Sequence, residues 1–459
     1  MMIFRLYSSL LLILFFCIPM KSLALESHFE TVKTAPECKR LFADPEKRPK
    51  STLEVFHMYG PCSPAAVAGT TPMNMSSVQD ILHLDRQRIE SLQSQFIPNS
   101  TTKKYDSRFP DTKVASLSVS FSTRNYAISI SLGTPQQVVN LIFDTGSRIT
   151  WSNGFHPHAS TSLTIISCDG FICGWYLPDH TCETFNNIEN TCHYEITYAD
   201  GTYTKGALCM DILSITQTDV FQHFLFGCST EVEGQFQAEG ILGLSRDAPI
   251  TFVSQTEPIY NKIFSYCLPS SPSSTGFLKL GPRDYPNNVE FTYLIDNPDY
   301  PTLYFIDIIS IRVGDVQLST DEFHLMFHRT IIDTGAVITR LPINIYTMMR
   351  DEFKRQMEFS GYPIVPVPFN FFDTCYDISI NLMNNIVPTI TFTFGDVDVD
   401  MDGSATLYAL DEWNVVCLAF VVNGDDHDFT VFGNHQQKKL EVVYDVAGGR
   451  LGFSPDGCH

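Results

Sequence analysis

Charge is scarce in this 459-residue chain. Only 18% of residues are Asp, Glu, Lys or Arg, and the basic ones are outnumbered 30 to 51, for a formal net charge of −21. A binder of nucleic acid or anionic lipid needs a basic face, so neither is an expected partner. Long apolar runs are missing beyond the first two dozen residues, which excludes a multi-pass membrane protein, and the composition equally excludes a collagen or coiled-coil fibre and a low-complexity scaffold. Paired C-x-x-C units with partner histidines, the usual zinc framework, do not occur. His156-Pro157-His158 stands in a Ser/Asn/Gly-rich stretch and reads as solvated loop, so no metal and no cofactor is expected. What the chain has in quantity is apolar material: 44% hydrophobic residues and 12% aromatic ones are enough to bury large cores.

The one long apolar run opens the chain. Arg5 precedes about a dozen apolar residues, Pro19 and Lys21 end them, and Ser22 and Ala24 supply the small residues of a cleavage step. Residues 1–24 therefore read as a secretory signal peptide, too short for a membrane span, with no membrane association expected once it is removed. Entry to the secretory route makes the 13 cysteines disulfide candidates. Cys17 leaves with the signal, and Cys38 and Cys62 lie in a segment that reads as removable. Cys168, Cys173, Cys182, Cys192, Cys209, Cys228, Cys267, Cys375, Cys417 and Cys458 remain, enough for up to five bridges whose connectivity spacing does not reveal.

Residues 25–114 differ in character from the rest of the chain. Over 26–114 twelve basic residues nearly balance eleven acidic ones, whereas 115–459 set sixteen against forty, a net of −24. Both N-x-S/T sequons, Asn74 and Asn99, fall in this preface, and Ile81, Leu84, Ile89 and Leu92 recur at helical spacing. A near-neutral preface on an acidic body predicts a pro-segment laid over the body and later released. From Val114 onward short β-rich runs such as YAISISL, VVNLIF and TITFTF alternate with turn residues, and IYTMMRDEFKRQME is the best helical pattern, with Tyr346, Met349, Phe353 and Met357 on one face. The expected fold is all-β with a few short helices, in two lobes, 115–296 and 297–459.

A duplication carries the chemistry. An apolar strand runs into Phe143-Asp144-Thr145-Gly146-Ser147, and another into Ile332-Asp333-Thr334-Gly335-Ala336. Two apolar residues and a glycine follow each, ending at Gly243, 99 residues after Asp144, and at Gly433, 100 after Asp333. A single D-T-G is an ordinary strand end. Two copies with the same downstream marker predict a pseudo-twofold that faces Asp144 and Asp333 across a cleft, with the threonine hydroxyls tying one loop to the other. Two carboxylates that close cannot both ionise easily and hold one proton between them. The ionised member can act as general base on a water, and the protonated one can donate to the carbonyl oxygen of a peptide bond.

On these residues the chain is similar to the pepsin-like aspartic peptidases, in their nepenthesin-like plant branch. FHMYGPCSP and LDRQRI resemble that branch's propeptide, and YAISISLGTP, FSYCLPSS, DTCYD, VFGN and VVYDVAGGRLGFSPDGC resemble its body. The resemblance implies that Asp144 and Asp333 are the catalytic pair, that Thr145 and Thr334 make reciprocal hydrogen bonds beneath it, that Gly146 and Gly335 complete the two loops, and that Ser147 bonds the outer oxygen of Asp144. It makes EITYADGTYTKG the flap hairpin, turning at Asp200-Gly201, with Tyr198 leaning over substrate and Trp151 bonded to that tyrosine. It pairs Cys375 with Cys417. Three departures stand out. The segment after Trp151 lacks the branch's longer cysteine-rich insert, which leaves Cys192 or its neighbours short of their usual partners with Cys209 as a substitute. Ala199 follows Tyr198 where glycine is usual, and Ala336 replaces a hydroxyl residue. The resemblance implies a monomeric endopeptidase acting on polypeptides, made with its own inhibitory propeptide, secreted to the apoplast or routed to the vacuole, and active in acid. The alternative is a binding protein like those plant relatives of the fold that block glycosidases.

Overall fold

Runs of β-branched and aromatic residues between turn residues dictate strands, and strands dominate. The computed structural model describes residues 37–42, 48–58, 60–64, 82, 85–86, 126–197, 203–233, 238–282, 285, 288–318, 329–366, 371–377, 387–410, 415–424, 428–455 and 457–458. The signal peptide, both sequons, Ile81, Leu84, Ile89 and Leu92 lie outside them. Among the described residues no helix is long and apolar enough to cross a membrane.

One large sheet runs through the middle of the unit formed by residues 37–459. In it β1 (Thr52–His57), β2 (Tyr126–Leu132) and β3 (Gln137–Asp144) lie side by side, and β4 (Gly240–Gly243) runs parallel to β3. On the other side of β1 the sheet continues through the hairpin of β5 (Ile263–Cys267) and β6 (Thr275–Leu280), with β1 paired to β6 from Thr52↔Lys279 to Phe56↔Thr275. In the second half β7 (Thr330–Ile332) and β8 (Thr339–Leu341) precede helix α1 (Ile343–Phe359), and β9 (Thr430–Phe432) lies parallel to β7. β10 (Glu441–Asp445) then returns to the large sheet beside β5. Helix α1 buries Tyr346, Met349, Phe353 and Met357, the stripe read from spacing, together with Ile345.

The two halves repeat one motif. Ile142↔Ile241, Phe143↔Leu242 and Asp144↔Gly243 pair in parallel in the first half, and Thr330↔Thr430, Ile331↔Val431 and Ile332↔Phe432 do so in the second. The late strand of each pair passes directly beneath the loop that follows the aspartate, and this explains the glycine found about a hundred residues downstream. A Cβ at Gly243 would stand 2.7 Å from the Ser147 carbonyl oxygen, and one at Gly433 would stand 2.6 Å from that of Val337. Each glycine N–H also donates to a threonine hydroxyl six residues past its aspartate: Gly243 to Thr150 at 3.1 Å and Gly433 to Thr339 at 3.0 Å. The fold is thus mostly β, with few helices and a duplicated bilobal plan.

Among the described residues six disulfides brace it: Cys38–Cys62, Cys168–Cys182, Cys173–Cys192, Cys209–Cys228, Cys267–Cys458 and Cys375–Cys417. The last is the pairing the resemblance implies. The expected orphaning of Cys192 is corrected. Cys173, on the short helix Phe171–Tyr176, reaches it across 5.8 Å between Cα atoms, and Cys209 instead bonds Cys228 on the adjacent strand.

Substituting Gly433→Ala should destabilise the fold by about 1–3 kcal/mol through overpacking against Val337. The check is a denaturant melt with unchanged m-value; an unaltered midpoint would contradict the close crossing.

Candidate active site

Asp144 is the last residue of β3 and Asp333 the first after β7, so each carboxylate stands where a buried strand turns into a tight loop. Both side chains are buried, with residue exposures of 0% and 2%. The local glycine does the same work in each loop: Gly146 N–H donates to Asp144 Oδ1 at 3.0 Å and Gly335 N–H to Asp333 Oδ1 at 2.9 Å. The outer oxygens are treated differently. Ser147 Oγ donates to Asp144 Oδ2, whereas position 336 offers only the buried methyl of Ala336.

The loops are tied to each other from both sides. Thr145 N–H donates to Thr334 Oγ1 at 3.1 Å, and Thr334 N–H donates to Thr145 Oγ1 at 3.0 Å, while Thr334 Oγ1 in turn donates to the Phe143 carbonyl at 3.3 Å. A buried backbone N–H left without an acceptor costs about 1–3 kcal/mol, so neither loop can shift without stranding the other's donor. The structure thereby brings Asp144, Thr145, Gly146 and Ser147 together with Asp333, Thr334 and Gly335.

Beneath this floor lies a group that sequence reasoning missed. Tyr266 Oη donates to Gln437 Oε1 at 2.6 Å and lies 3.3 Å from Tyr444 Oη, which bonds Thr145. Gln437 Nε2 donates to the Phe432 carbonyl at 2.8 Å, and Asn434 Nδ2 donates to that of Thr334 at 2.9 Å. Burial, with the charge on Asp333 adding to it, holds both phenols above their usual range, so they remain neutral donors. The available signal was the run Asn434-His435-Gln436-Gln437 directly after the second marker glycine, an unusual density of amides in an apolar context.

Trp151 is fully buried on the short strand Trp151–Ser152, facing Gly227 and Ile241 in register. Strands Ile188–Thr197 and Tyr203–Ser214 pair to their ends at Thr197↔Tyr203, leaving 198–202 as the connection. Tyr198, Ala199, Asp200 and Gly201 lie in that connection, outside the described residues. His156 and His158 are exposed. Among the described residues the one group with metal-like spacing is Cys168, His180 and Cys182, and its two sulfurs are already joined to each other.

One residue of the preface approaches the second loop, and another ends the preface strand. Asp85, fully buried, accepts from Val337 N–H at 2.7 Å, and His57 ends β1 opposite Tyr126.

Comparison with known proteins places this geometry. Family profiles described as xylanase inhibitor N-terminal and xylanase inhibitor C-terminal match residues 126–282 and 303–455. An aspartyl protease family protein of Arabidopsis thaliana is 36% identical over 425 residues, covering 89% of this chain and 88% of its own length. Aspartyl protease AED1 of the same plant is 36% identical over 426 residues, covering 89% and 87%. Aspartic proteinase nepenthesin-1 of Nepenthes gracilis is 28% identical, covering 72% and 78%. Among solved structures, basic 7S globulin from soybean aligns with a TM-score of 0.60 at 21% identity over 72% of this chain and 91% of that one, a likeness of fold.

The missing donor at position 336 has a measurable consequence. A hydroxyl donating to the charged form of Asp333 would favour that form and so lower the pair's upper apparent pKa. Ala336→Thr should therefore pull the alkaline limb of a pH–rate profile toward acid, and superimposable profiles would contradict the assignment.

Proposed function

Because the chain belongs to the pepsin-like aspartyl protease family, we propose that it is an aspartic endopeptidase made as a secreted zymogen. The observation that carries this reading is the reciprocal Thr145–Thr334 pair, which holds two buried, similarly cradled carboxylates in matched loops. Asp144 and Asp333 share one proton. The ionised member takes a proton from a water as its oxygen attacks the peptide carbonyl carbon, and the protonated member donates to the carbonyl oxygen. The resulting diol collapses with proton transfer to the leaving nitrogen. The two carboxylates titrate as a unit, so neither holds a fixed role in the resting enzyme.

Residues 1–24 direct the chain to the secretory route, and 25–114 form the pro-segment. Two features favour that division. Cys38–Cys62 closes within the preface while the other five bridges lie within the body, so no disulfide among the described residues ties one to the other. β1, the preface strand, also ends in a pH-sensitive group. His57 faces the Tyr126 ring edge-on at 5.8 Å, and burial first, then the charge of Lys438, lowers its pKa to about 4. Lys438 is itself lowered to about 8 by burial and lies 3.0 Å from His435 Nδ1, whose pKa burial also depresses. A histidine whose docked pKa lies below its free value of about 6.5 opposes docking once protons are plentiful. The docked strand is therefore most stable above about pH 6.5 and loses stability as pH falls toward 4, the direction an acid-activated precursor requires.

A second reading, a glycosidase-binding protein, is favoured by the description of the matching family profiles. Both aspartates, both threonines and Ser147 are retained here, which favours catalysis.

Incubating the secreted protein with a denatured polypeptide at acid pH separates the two. Pepstatin-sensitive cleavage, lost by about three orders of magnitude or more in Asp144→Asn, is the expected result; tight glycosidase binding without cleavage would overturn the enzyme reading. The acid response is read in the Asp144→Asn precursor, which cannot cut itself. Amide protection over 52–57, corrected for intrinsic exchange, should fall between pH 6.5 and 4, and in His57→Phe it should persist to lower pH.

A further inference from the structure

Arg340 is a buried cation in a body of net charge −24, and its place in the duplication is telling. It stands seven residues after Asp333, as Trp151 stands seven after Asp144. Both occupy the short strand that follows the aspartate loop. Only 6% of Arg340 is exposed, and one of its partners comes from the preface: Nη2 donates to Asp85 Oδ2 at 3.3 Å. The other oxygen of the same carboxylate accepts from Val337 N–H at 2.7 Å. A guanidinium and a backbone N–H thus converge on the two oxygens of one carboxylate, an arrangement that selects a planar anion over an amide or an alkyl group.

The walls of this pocket are set. Phe371 lies 5.9 Å from the Arg340 guanidinium carbon and 5.3 Å from that of Arg86, and Leu82 packs into a cluster with Val337, Phe372, Cys375 and Cys417. Cys375 and Cys417 of that cluster are joined as a disulfide. From its other side Val337 is held by the backbone, its carbonyl accepting from His435 N–H at 3.0 Å. Everything except Leu82, Asp85 and Arg86 belongs to the body, so the pocket persists when the preface leaves.

Its distance from the reacting groups is bounded by chain length. Val337 is four residues from Asp333, so their Cα atoms are within about 14 Å even if the chain between them were fully extended. An extended peptide advances about 3.3 Å per residue, so a side chain two to four residues from the bond at the dyad falls within reach. Loss of Asp85 opens this side of the guanidinium and the Val337 N–H, two donors whose geometry fits another carboxylate.

We infer that Arg340 and the Val337 N–H form a carboxylate-binding subsite, filled by Asp85 in the precursor and by an Asp or Glu side chain of the substrate in the processed enzyme. This rests on the protease reading, and deepens it by naming a class of substrate. Against a body of net charge −24, such a pocket is a local exception that lets an acidic peptide dock where the surrounding field would repel it.

The test uses protein secreted as the full chain and allowed to process itself. Peptides of one neutral sequence, carrying Glu or Gln in turn at each of the four positions on either side of the cut, are compared by kcat/KM. The expected result is one position at which Glu exceeds Gln by tenfold or more, with that ratio falling to near one in Arg340→Met and staying above one in Arg340→Lys. No Glu preference at any position in the wild-type enzyme, or a preference that survives Arg340→Met, would overturn the subsite while leaving the protease reading intact. The wild-type scan needs no variant to fold. Failure to cut any peptide, the neutral ones included, would overturn the protease reading and with it the substrate assignment.

Discussion

Two threonine hydroxyls, each accepting the backbone N–H of the opposite loop, set the geometry on which the rest depends. They are short side chains on tight loops, buried from water, and they leave no slack: a displaced loop would strand a donor where no solvent can replace its acceptor. The aspartates inherit that precision because they sit one residue away. The glycines at 146 and 335 bring backbone donors onto the inner oxygens, and the glycines at 243 and 433 let the supporting strand pass close beneath. Tyr266, Tyr444 and Gln437 extend the network downward, joining Thr145 to the main chain at Phe432. In the proposed enzyme, burial lowers the local dielectric, and that would favour one shared proton over two charges.

The preface engages the body at two physically different places. β1 is a full member of the central sheet, held mainly by backbone pairing to β6, while Leu82, Asp85 and Arg86 lie against the second half. Apolar and backbone contacts supply its hold, and titratable groups at the edges make that hold conditional. On the proposed reading, burial beside Lys438 lowers the His57 pKa, so that its protonation would oppose docking in acid. The strand that would leave thus carries a group sensitive to acid.

Much of this was legible in residue order. The β-rich runs, the stripe on α1, the two D-T-G loops and their glycine markers all express short-range rules: alternation, helical period and the conformational demands of a close turn. The Cys375–Cys417 bridge came from likeness of motif. The other cystines did not, because spacing leaves the choice to whichever elements come together, and the short helix Phe171–Tyr176 is what delivers Cys173 to Cys192. The tyrosine floor, the Asp85–Arg340 pairing and the His57–Lys438 corner were equally invisible, since each joins residues far apart in the chain.

Residue order alone pointed to a duplicated β body, two acids in matched motifs and a near-neutral preface, because periodicity, repetition and charge are properties of the string. How the two loops lock, which thiols meet and which buried cation receives which carboxylate depend on the path the backbone takes between them. Those contacts are non-local, and their strength comes from burial, which no stretch of residues possesses until the two halves have closed on each other.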